Sequence, residues 1–353
     1  MIYFSRFNLN EICTEGGGVR DIAFLNFFKD RNVLIKVIEK NKVLRFLKVP
    51  YFVLWFLRIN NETIFIHSSS LAKIFPPKIF SLPFFKSILY YILTVSSIKN
   101  RIIIEVNDLP YEQSLDLELH LEKSIKKYMD MVLSIKTVEY VYASYKMMDY
   151  CRVKYKLNNN KTYFCLNGGD ILPDIENQKK DAILRFVYAG TLNKGRQIEE
   201  LISLFDSIER NDIELILCGI NGEWIESLVT KDNIKYLGSL SDNEAKKVVS
   251  MCDIGIIPYD DERFYYNLCY PTKNSFYITS GIPFLSTCLE ETMFWFEKNE
   301  CAIFSSFDNW KSIVSHIEAK DIFKFKSNVS SIKYNFSWDN LISNLMKELK
   351  IKI

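Results

Sequence analysis

A cluster of three glycines near the start of the chain is the first feature suited to binding a ligand. Gly16, Gly17 and Gly18 stand together before Val19 and Arg20. Glycines let a backbone approach a ligand closely, and the amino end of a following helix favours an anion. The spacing is not the G-x-G-x-x-G of dinucleotide-binding proteins. The cluster therefore predicts a ligand contact, and a plain turn stays open as the alternative.

A second candidate is the segment AGTLNKGR, which runs from Ala189 to Arg196 after a strongly apolar stretch. Gly190 leaves room for a ligand, and Lys194 and Arg196 come where a diphosphate would meet the start of the next helix. Each charge-assisted contact of this kind is worth about 1.5–3 kcal/mol. An exposed basic helix start without a ligand is the alternative.

The third candidate is PTKNSFY, from Pro271 to Tyr277. Lys273 is predicted in the first turn of a helix, where the helix dipole disfavours a cation. An anionic ligand explains a lysine at this position better than the helix alone does. Ser275 and Tyr277 can add neutral hydrogen-bond donors.

Carboxylates suited to acid–base chemistry follow the apolar run IIIEV. Asp108 and Glu112 come just past it, where they could orient an acceptor hydroxyl or act as a base. A helix cap without chemistry is the alternative for Asp108. The acidic stretch 260–262 could touch donor hydroxyls, although an exposed acidic loop is the simpler interpretation.

Strands and helices must position these segments, and apolar runs alternate with amphipathic ones along the whole chain. Such alternation predicts parallel sheets with helices on their faces. Strands are predicted at 2–7, 33–39, 63–69, 101–107, 131–135 and 162–167, then at 183–190, 213–219, 233–239, 253–259 and 282–287. Helices are predicted at 19–29, 42–57, 79–94 and 113–128, then at 196–210, 222–230, 242–251 and 272–280.

The pattern restarts after a charged break at 173–182, which predicts two α/β domains. A chain of 353 residues suits two cores. We place the domains at 1–172 and 173–333, with a terminal helix in 334–353 packing back on the first domain. Because ligands bind beyond the carboxyl ends of parallel strands, the expected site is the cleft between the domains.

Charge and hydropathy indicate an anionic surface as a partner of the first half. Residues 1–100 carry 14 Lys/Arg and 6 Asp/Glu, a local charge of +8 in a chain whose net charge is +2. Segments 41–58 and 73–94 mix Lys and Arg with aromatic residues, which is typical of docking to anionic membranes; a buried core helix is the alternative. We predict no signal peptide and no spanning segment, which favours a cytoplasmic protein.

Metal and nucleic-acid sites find little support in the sequence. The eight cysteines include no C-x-x-C pair and no zinc spacing, and there are only three histidines. Buried, reduced cysteines are the simplest interpretation. No nucleic-acid-binding module is present, and the basic residues form no dense patch.

Several linked motifs carry a resemblance to a known family. They are FVYAGTLNKG, LILCG, NIKYLGSLSDNEAKKVVSMCDIGIIPY and PTKNSFYITSGIPF, together with Asn167-Gly168-Gly169-Asp170 and Phe336-Ser337-Trp338. Over about residues 160–350 this series resembles the donor-binding domain of glycosyltransferase family 4. The resemblance implies the GT-B fold, an α/β protein with two Rossmann-like domains whose parallel sheets face a central cleft. Over 1–150 only the strand–helix pattern agrees.

One position departs from the family pattern P-x-K-x-x-E-Y, because Phe276 stands where the family has its glutamate. The variant resembles a bacterial branch of galactofuranosyl- and glucosyltransferases that use UDP-sugars for surface polysaccharides such as O-antigen or capsule. The missing carboxylate leaves the donor's ribose contact open.

The resemblance also implies roles for residues. Lys194 and Lys273 would hold the donor diphosphate, assisted by Tyr277 and the loop Gly16–Gly18. The backbone around Gly238 and Leu240 would hold the base. Neither a cofactor nor a metal is required. The implied reaction is a retaining sugar transfer to a lipid-linked or oligosaccharide acceptor, at the inner face of the membrane.

Two other functions stay open at this point. A nucleotide-sugar epimerase on the same scaffold would need several acid–base side chains in the cleft, and the apolar, basic first half argues against it. A non-catalytic partner of an active transferase would explain Phe276 in place of glutamate.

Overall fold

Two sheets, each of six parallel strands, carry the fold of this protein. The computed structural model describes residues 1–8, 11, 16–171, 181–193, 196–228 and 231–352. The chain divides into two compact units. Unit 1 comprises Met1–Leu166 and Ile342–Ile353, and unit 2 comprises Asn167–Leu341. Each unit has helices between its strands, as parallel pairing requires.

Unit 1 has the strand order β2-β1-β3-β4-β5-β6. Its strands are β1 (Ile2–Ser5), β2 (Leu34–Val37), β3 (Thr63–His67), β4 (Arg101–Val106), β5 (Glu139–Tyr142) and β6 (Thr162–Phe164). Its helices are α1 (Gly16–Lys29), α2 (Lys42–Leu47), α3 (Val49–Arg58), α4 (Ser68–Ile74), α5 (Pro77–Phe80), α6 (Pro83–Lys99), α7 (Pro110–Asp116), α8 (Lys123–Leu133) and α9 (Tyr145–Tyr155), with a 3-10 turn at Asn159–Lys161.

Three predictions for the first half were wrong. The apolar run 131–135 is not a strand, since Met131–Leu133 are the buried end of α8 and the fifth strand is Glu139–Tyr142. A short apolar run on a buried helix face cannot be told from a strand by periodicity. The helix predicted at 113–128 is α7 followed by the start of α8. The helix predicted at 42–57 is two helices, because Pro50 is favoured in the first turn of a new helix.

Unit 2 has the strand order β12-β11-β10-β7-β8-β9. Its strands are β7 (Leu184–Ala189), β8 (Ile213–Cys218), β9 (Ile234–Tyr236), β10 (Ile254–Ile257), β11 (Phe284–Ser286) and β12 (Ala302–Phe304). Its helices are α10 (Ile198–Asp206), α11 (Asp242–Ser250), α12 (Phe264–Leu268), α13 (Thr272–Thr279), α14 (Glu290–Phe296), α15 (Trp310–His316) and α16 (Ala319–Ile332), and α17 (Trp338–Glu348) runs on into the last residues of unit 1. Its 3-10 turns are Glu223–Ser227, Glu297–Asn299, Phe307–Asn309 and Lys333–Phe336.

Strands β8 and β10 of unit 2 are buried along their whole length, which explains their largely apolar sequences. The prediction of a helix at 222–230 was wrong over the described residues 222–228, where the chain forms a 3-10 turn at Glu223–Ser227. The twelfth strand, helix α12 and helices α14 to α16 were not predicted. One core cluster joins Phe186, Leu215 and Leu285 of the sheet to Trp310 of α15.

The first residues of unit 2 pair with the segment that leads into α17. The amide of Gly169 donates to Phe336 over 3.0 Å, and the amide of Trp338 donates to Gly169 over 3.1 Å. A β-carbon on Gly169 would lie 2.2 Å from Thr279 Oγ1, and one on Gly168 would lie 2.8 Å from the Trp338 ring. Glycine is therefore required at both positions for this pairing.

We predict that Gly169→Ala lowers the free energy of unfolding by about 1–3 kcal/mol, because the new methyl group overpacks against Thr279. Urea unfolding measures the loss. Thr279→Ala removes the clashing hydroxyl, so the double variant is expected to lose less than the sum of the single variants. Strictly additive losses would contradict the clash.

Candidate functional site

The sheet of unit 2 reverses its strand order between β7 and β10, and such a switch point is where ligands bind to open parallel sheets. The two strands pair only at Phe186 with Ile254 and at Val187 with Gly255. Beyond these pairs the strands separate. Several side chains identified from the sequence meet at this opening.

Tyr277 of α13 fills the gap between the two strands. Its hydroxyl accepts from the amide of Ala189 over 3.2 Å and lies 3.2 Å from the Val187 carbonyl and 3.1 Å from the Ile256 carbonyl. A β-carbon on Gly255 would lie 2.3 Å from the Tyr277 ring, so only glycine admits the ring here. Tyr277 therefore props the switch point open from within the fold, rather than presenting its hydroxyl to a ligand.

Lys273 lies directly above this opening. It is the second residue of α13, and its side chain is only 6% exposed. The ammonium Nζ lies 3.1 Å from the Tyr259 hydroxyl and 4.6 Å from the centroid of the Tyr188 ring. Gly190, with φ at +142°, makes room for it, because a β-carbon there would lie 2.6 Å from Nζ.

Arg196 adds a second cation to the same place. Its guanidinium interacts with Tyr188, Tyr259 and Tyr266, and the last two rings are stacked 4.9 Å apart. Among the residues that the structure describes, neither Lys273 nor Arg196 forms an ion pair with a carboxylate. Arg196 is half-buried and Lys273 is buried, and a buried charge without a counter-charge is costly. The two cations therefore form a site in need of an anion.

The two cations also lower the pKa values of the neighbouring tyrosine hydroxyls relative to the effect of burial alone. Burial raises the pKa of a phenol, but at Tyr259 the nearby Lys273 and Arg196 outweigh burial, and its pKa is lowered. At Tyr188 burial dominates, although Lys273 acts against it, and the pKa is raised to about 12. Of these two phenols, Tyr259 is thus the one whose pKa is set by the neighbouring cations.

Glycine backbone covers the strand ends beside these cations. The amide of Gly190 donates to Cys218 over 2.9 Å, and the amide of Gly219 donates to Gly238 over 2.9 Å. A β-carbon on Gly219 would lie 1.7 Å from the Gly190 carbonyl oxygen. Gly238 has φ at +71°, and Leu240 follows it half-buried. The carboxyl ends of β7, β8 and β9 therefore present backbone close to the cations.

Ser275 and the acidic stretch 260–262, which the sequence analysis selected as possible ligand contacts, form hydrogen bonds and ion pairs inside unit 2. Ser275 is fully buried, and its hydroxyl lies 2.9 Å from the Tyr270 hydroxyl. Asp260 pairs with Arg263 over 3.1 Å, and Asp261 accepts from the amide of Cys288 over 2.9 Å. Ser275 therefore bonds to a neighbouring side chain of unit 2, and Asp260 and Asp261 bond within the loops beside α12 and α14. Lys194 lies outside the described residues.

In unit 1 the helix that begins with Gly16, Gly17 and Gly18 follows β1, beside the switch point between β1 and β3. Beneath the helix lies a buried polar network that the sequence analysis missed. Arg20 Nε donates to Glu105 over 2.6 Å, and its Nη1 donates to the Leu166 carbonyl over 3.1 Å. The network ties α1 to β4 and to the segment after β6.

His67, at the end of β3, joins the same network. Its Nδ1 lies 2.6 Å from Glu105 and 3.3 Å from Asp21, and its Nε2 lies 2.7 Å from the Tyr3 hydroxyl. Burial disfavours a charged Glu105, but Arg20 and His67 outweigh burial and lower the pKa of this carboxyl to about 2. Its contribution to stability is therefore fully present above the ordinary pKa of a glutamate and is lost progressively as the pH falls from there through about 2.

Of the two acid–base residues predicted in unit 1, Asp108 is exposed and Glu112 is buried. Asp108 is exposed just past β4, with Asn107 Nδ2 3.3 Å from its carboxylate. Glu112 is buried, forms an ion pair with Lys154 and accepts from Tyr150 over 3.1 Å. Glu112 therefore anchors α7 to α9, whereas Asp108 is accessible.

Comparisons with known proteins agree on the fold. HepE from Anabaena, solved in complex with UDP, aligns over 99% of both chains with a TM-score of 0.66 and 11% identity. It has also been solved with UDP-glucose. A glycosyltransferase from Rickettsia africae aligns over 99% of both chains with a TM-score of 0.60 and 13% identity.

A sucrose-phosphate synthase from Thermosynechococcus elongatus covers 91% of this chain and 82% of its own, with a TM-score of 0.63 and 12% identity. The chain has the GT-B fold. The expected GT-B architecture is thereby confirmed. No protein-family model and no curated protein sequence matches the chain.

Removing the Tyr277 hydroxyl tests its role in the GT-B switch point. We expect Tyr277→Phe to lower the free energy of unfolding by about 1–3 kcal/mol, because the buried amide of Ala189 loses its partner. Amide hydrogen exchange at 186–190 should speed up in parallel.

Tyr270→Phe is the matched control, since it removes a buried phenol whose hydroxyl bonds only to Ser275 among the described residues. It should leave exchange at 186–190 unchanged. Equal exchange in the two variants would contradict the role of Tyr277.

Proposed function

We propose that this protein is a glycosyltransferase that moves a sugar from a nucleoside diphosphate donor, a UDP-sugar, to a lipid-linked or oligosaccharide acceptor. One observation carries the proposal. Two cations, Lys273 and Arg196, lie at the switch point of unit 2 without a carboxylate partner in the described chain. A diphosphate supplies the missing negative charge at the position where open parallel sheets bind ligands.

The chemistry follows from the leaving group. Breaking the bond between the sugar and the diphosphate places new negative charge on the leaving phosphate oxygen. Fixed cations in a buried site stabilise that charge without reorganising. Lys273 and Arg196 provide them, and the Tyr259 hydroxyl provides a donor beside them. Such a reaction needs neither a metal nor a cofactor, and departure on the face that the acceptor attacks gives retention.

The rest of the donor has a place on the same sheet edge. The backbone after β8 and β9, near Gly238 and Leu240, is accessible for a base, and Gly190 keeps the space over β7 open. The binding of UDP and UDP-glucose by HepE, which has the same fold, supports UDP as the nucleotide. Lys194 and the loop Gly16–Gly18 are proposed to assist.

Asp108 is the better candidate to orient the acceptor hydroxyl. It is exposed at the carboxyl end of β4, whereas the Glu112 carboxylate is buried in its ion pair with Lys154. The resemblance to the family 4 branch that builds surface polysaccharides supports a glycan acceptor on a lipid carrier.

The role of Lys273 is tested by binding of UDP. We predict that Lys273→Ala weakens UDP binding at least thirtyfold in calorimetry, because one charge-assisted contact of about 2–3 kcal/mol is lost. Transfer or hydrolysis of UDP-sugar should fall by at least the same factor.

Lys246→Ala is the matched control, because Lys246 is also a buried lysine of unit 2 but pairs with Asp170 and Asp242. This variant should lose stability and keep its affinity for UDP. Unchanged UDP binding in Lys273→Ala, or equal losses in both variants, would overturn the proposal.

An anionic membrane surface is proposed as a partner of unit 1. Helix α2 buries none of its residues, even though several of them are apolar. Val43, Phe46 and Leu47 are 68%, 53% and 66% exposed. On α6, Phe84 and Tyr91 are 72% and 63% exposed. Lysines and arginines lie among these apolar side chains, so the surface is complementary to anionic lipid.

The described part of the chain has no helix that could cross a bilayer. A peripheral position on the inner face of the membrane, in the cytoplasm, is therefore the form of membrane contact that we propose. It would place the protein where a lipid-linked acceptor lies.

Vesicle sedimentation tests this surface. The wild-type chain is expected to bind vesicles of phosphatidylglycerol and phosphatidylethanolamine, and Phe46→Ser with Leu47→Ser is expected to weaken binding roughly a hundredfold, since two apolar side chains no longer insert. The matched control is Phe323→Ser on α16, which removes a phenylalanine that is 76% exposed in unit 2. Binding that is lost equally in the control, or never seen in the wild type, would contradict this partner.

A further inference from the structure

The buried network of unit 1 has no part in the proposed chemistry, yet it is the largest group of charged side chains in the described interior of that unit. Arg20, Asp21 and Glu105 are at most 1% exposed, as is His67. Arg6 joins these four residues through its ion pair with Asp21. All five lie at the carboxyl end of the sheet, where ligands of parallel sheets bind.

Asp21, His67 and Glu105 lie close enough together to be considered as metal ligands. Their contacts argue for another role. The Glu105 carboxylate already accepts from Arg20 and lies 2.6 Å from His67, and Asp21 pairs with Arg6. Two arginines beside the carboxylates neutralise the charge that a cation would need. Both carboxylates of the cluster are therefore already engaged by side chains of the chain itself.

Stability alone explains such a network poorly. Replacing a buried ion pair by well-packed apolar residues is often neutral or stabilising. What the network does provide is fixed geometry. Arg20 lies one turn into α1 and binds groups on two different segments, Glu105 of β4 and the carbonyl of Leu166. Asp21 adds bonds to the residue after β1 and to Tyr3 through its carbonyl.

The opposite end of the same sheet offers a direct comparison. Arg101 of β4 pairs with Glu139 of β5 through two hydrogen bonds of 2.8 and 2.7 Å. That pair is partly exposed and touches no residue of α1 among the described contacts. Both arginine–glutamate pairs include a residue of β4. The pair of Arg20 and Glu105 joins β4 to α1, whereas the pair of Arg101 and Glu139 joins β4 to β5.

We propose that Arg20 and Glu105 are positioning residues, which hold the amino end of α1, and with it Gly16–Gly18, in the geometry that sugar transfer requires. The inference rests on the proposed function for its kinetic consequence. Its structural consequence, a fixed amino end of α1, stands independently of that function.

Hydrogen exchange tests the structural consequence on the whole chain. Glu105→Gln keeps the volume and one acceptor of the side chain but removes its charge. Amides at 18–24 are expected to exchange at least tenfold faster in this variant. Glu139→Gln, the matched control, should leave these amides unchanged. Unchanged exchange at 18–24 in Glu105→Gln, or equal acceleration in both variants, would overturn the inference.

Kinetics with UDP-glucose and UDP-galactose test the functional consequence. Glu105→Gln is expected to lower kcat at least tenfold, and by a larger factor than it lowers UDP affinity, because the cations of unit 2 make the main contacts to the diphosphate. Arg20→Lys should behave like Glu105→Gln, because one ammonium cannot reach both acceptors, whereas Arg101→Lys should keep full activity. Full kcat in Glu105→Gln and Arg20→Lys would refute the positioning role.

The two proposals fail separately. A wild-type chain that neither binds UDP nor turns over a UDP-sugar would refute the proposed function and leave the exchange result to decide the structural role of Arg20 and Glu105. Normal UDP binding with unchanged exchange at α1 would refute the network's role alone.

Discussion

The positive charge of Lys273 at the divided edge of the second sheet is the constraint on which the rest of unit 2 depends. The side chain is buried among tyrosines, and a counter-charge is missing from the described residues around it. Gly190 must lack a β-carbon to admit the ammonium, Gly255 must lack one to admit the Tyr277 ring, and Tyr277 must separate β7 from β10. Together these residues hold the ammonium group of Lys273 at the switch point, where an anion can bind it.

Much of this arrangement could be predicted from the sequence, because its parts are local. The alternation of apolar runs and helices predicted most strands, and the motif around Pro271 to Tyr277 predicted a lysine at the start of a helix. The direction of the hydroxyls could not be predicted. Ser275 and Tyr277 were expected to face a ligand, and they bond to Tyr270 and to the separated strands instead. Where a side chain points depends on tertiary contacts, which a motif does not record.

The buried network of unit 1 could not be predicted from motifs either, because it too depends on tertiary contacts. Its members come from four distant places in the chain, and none belongs to a recognisable spacing. One signal was nevertheless present in the sequence. Glu105 interrupts the apolar strand IIIEV and His67 ends the strand TIFIH, and a polar residue inside a buried strand needs a partner. Two such strands next to each other predict a shared polar contact, as the pairing of His67 with Glu105 shows.

The most direct measurement is a crystal structure of the chain soaked with UDP. The account predicts phosphate oxygens within about 3 Å of Lys273 Nζ, with Arg196 contacting the same group and the nucleoside extending toward Gly238. A structure in which UDP binds elsewhere, or in which Lys273 contacts only its tyrosines while UDP is bound, would contradict the account.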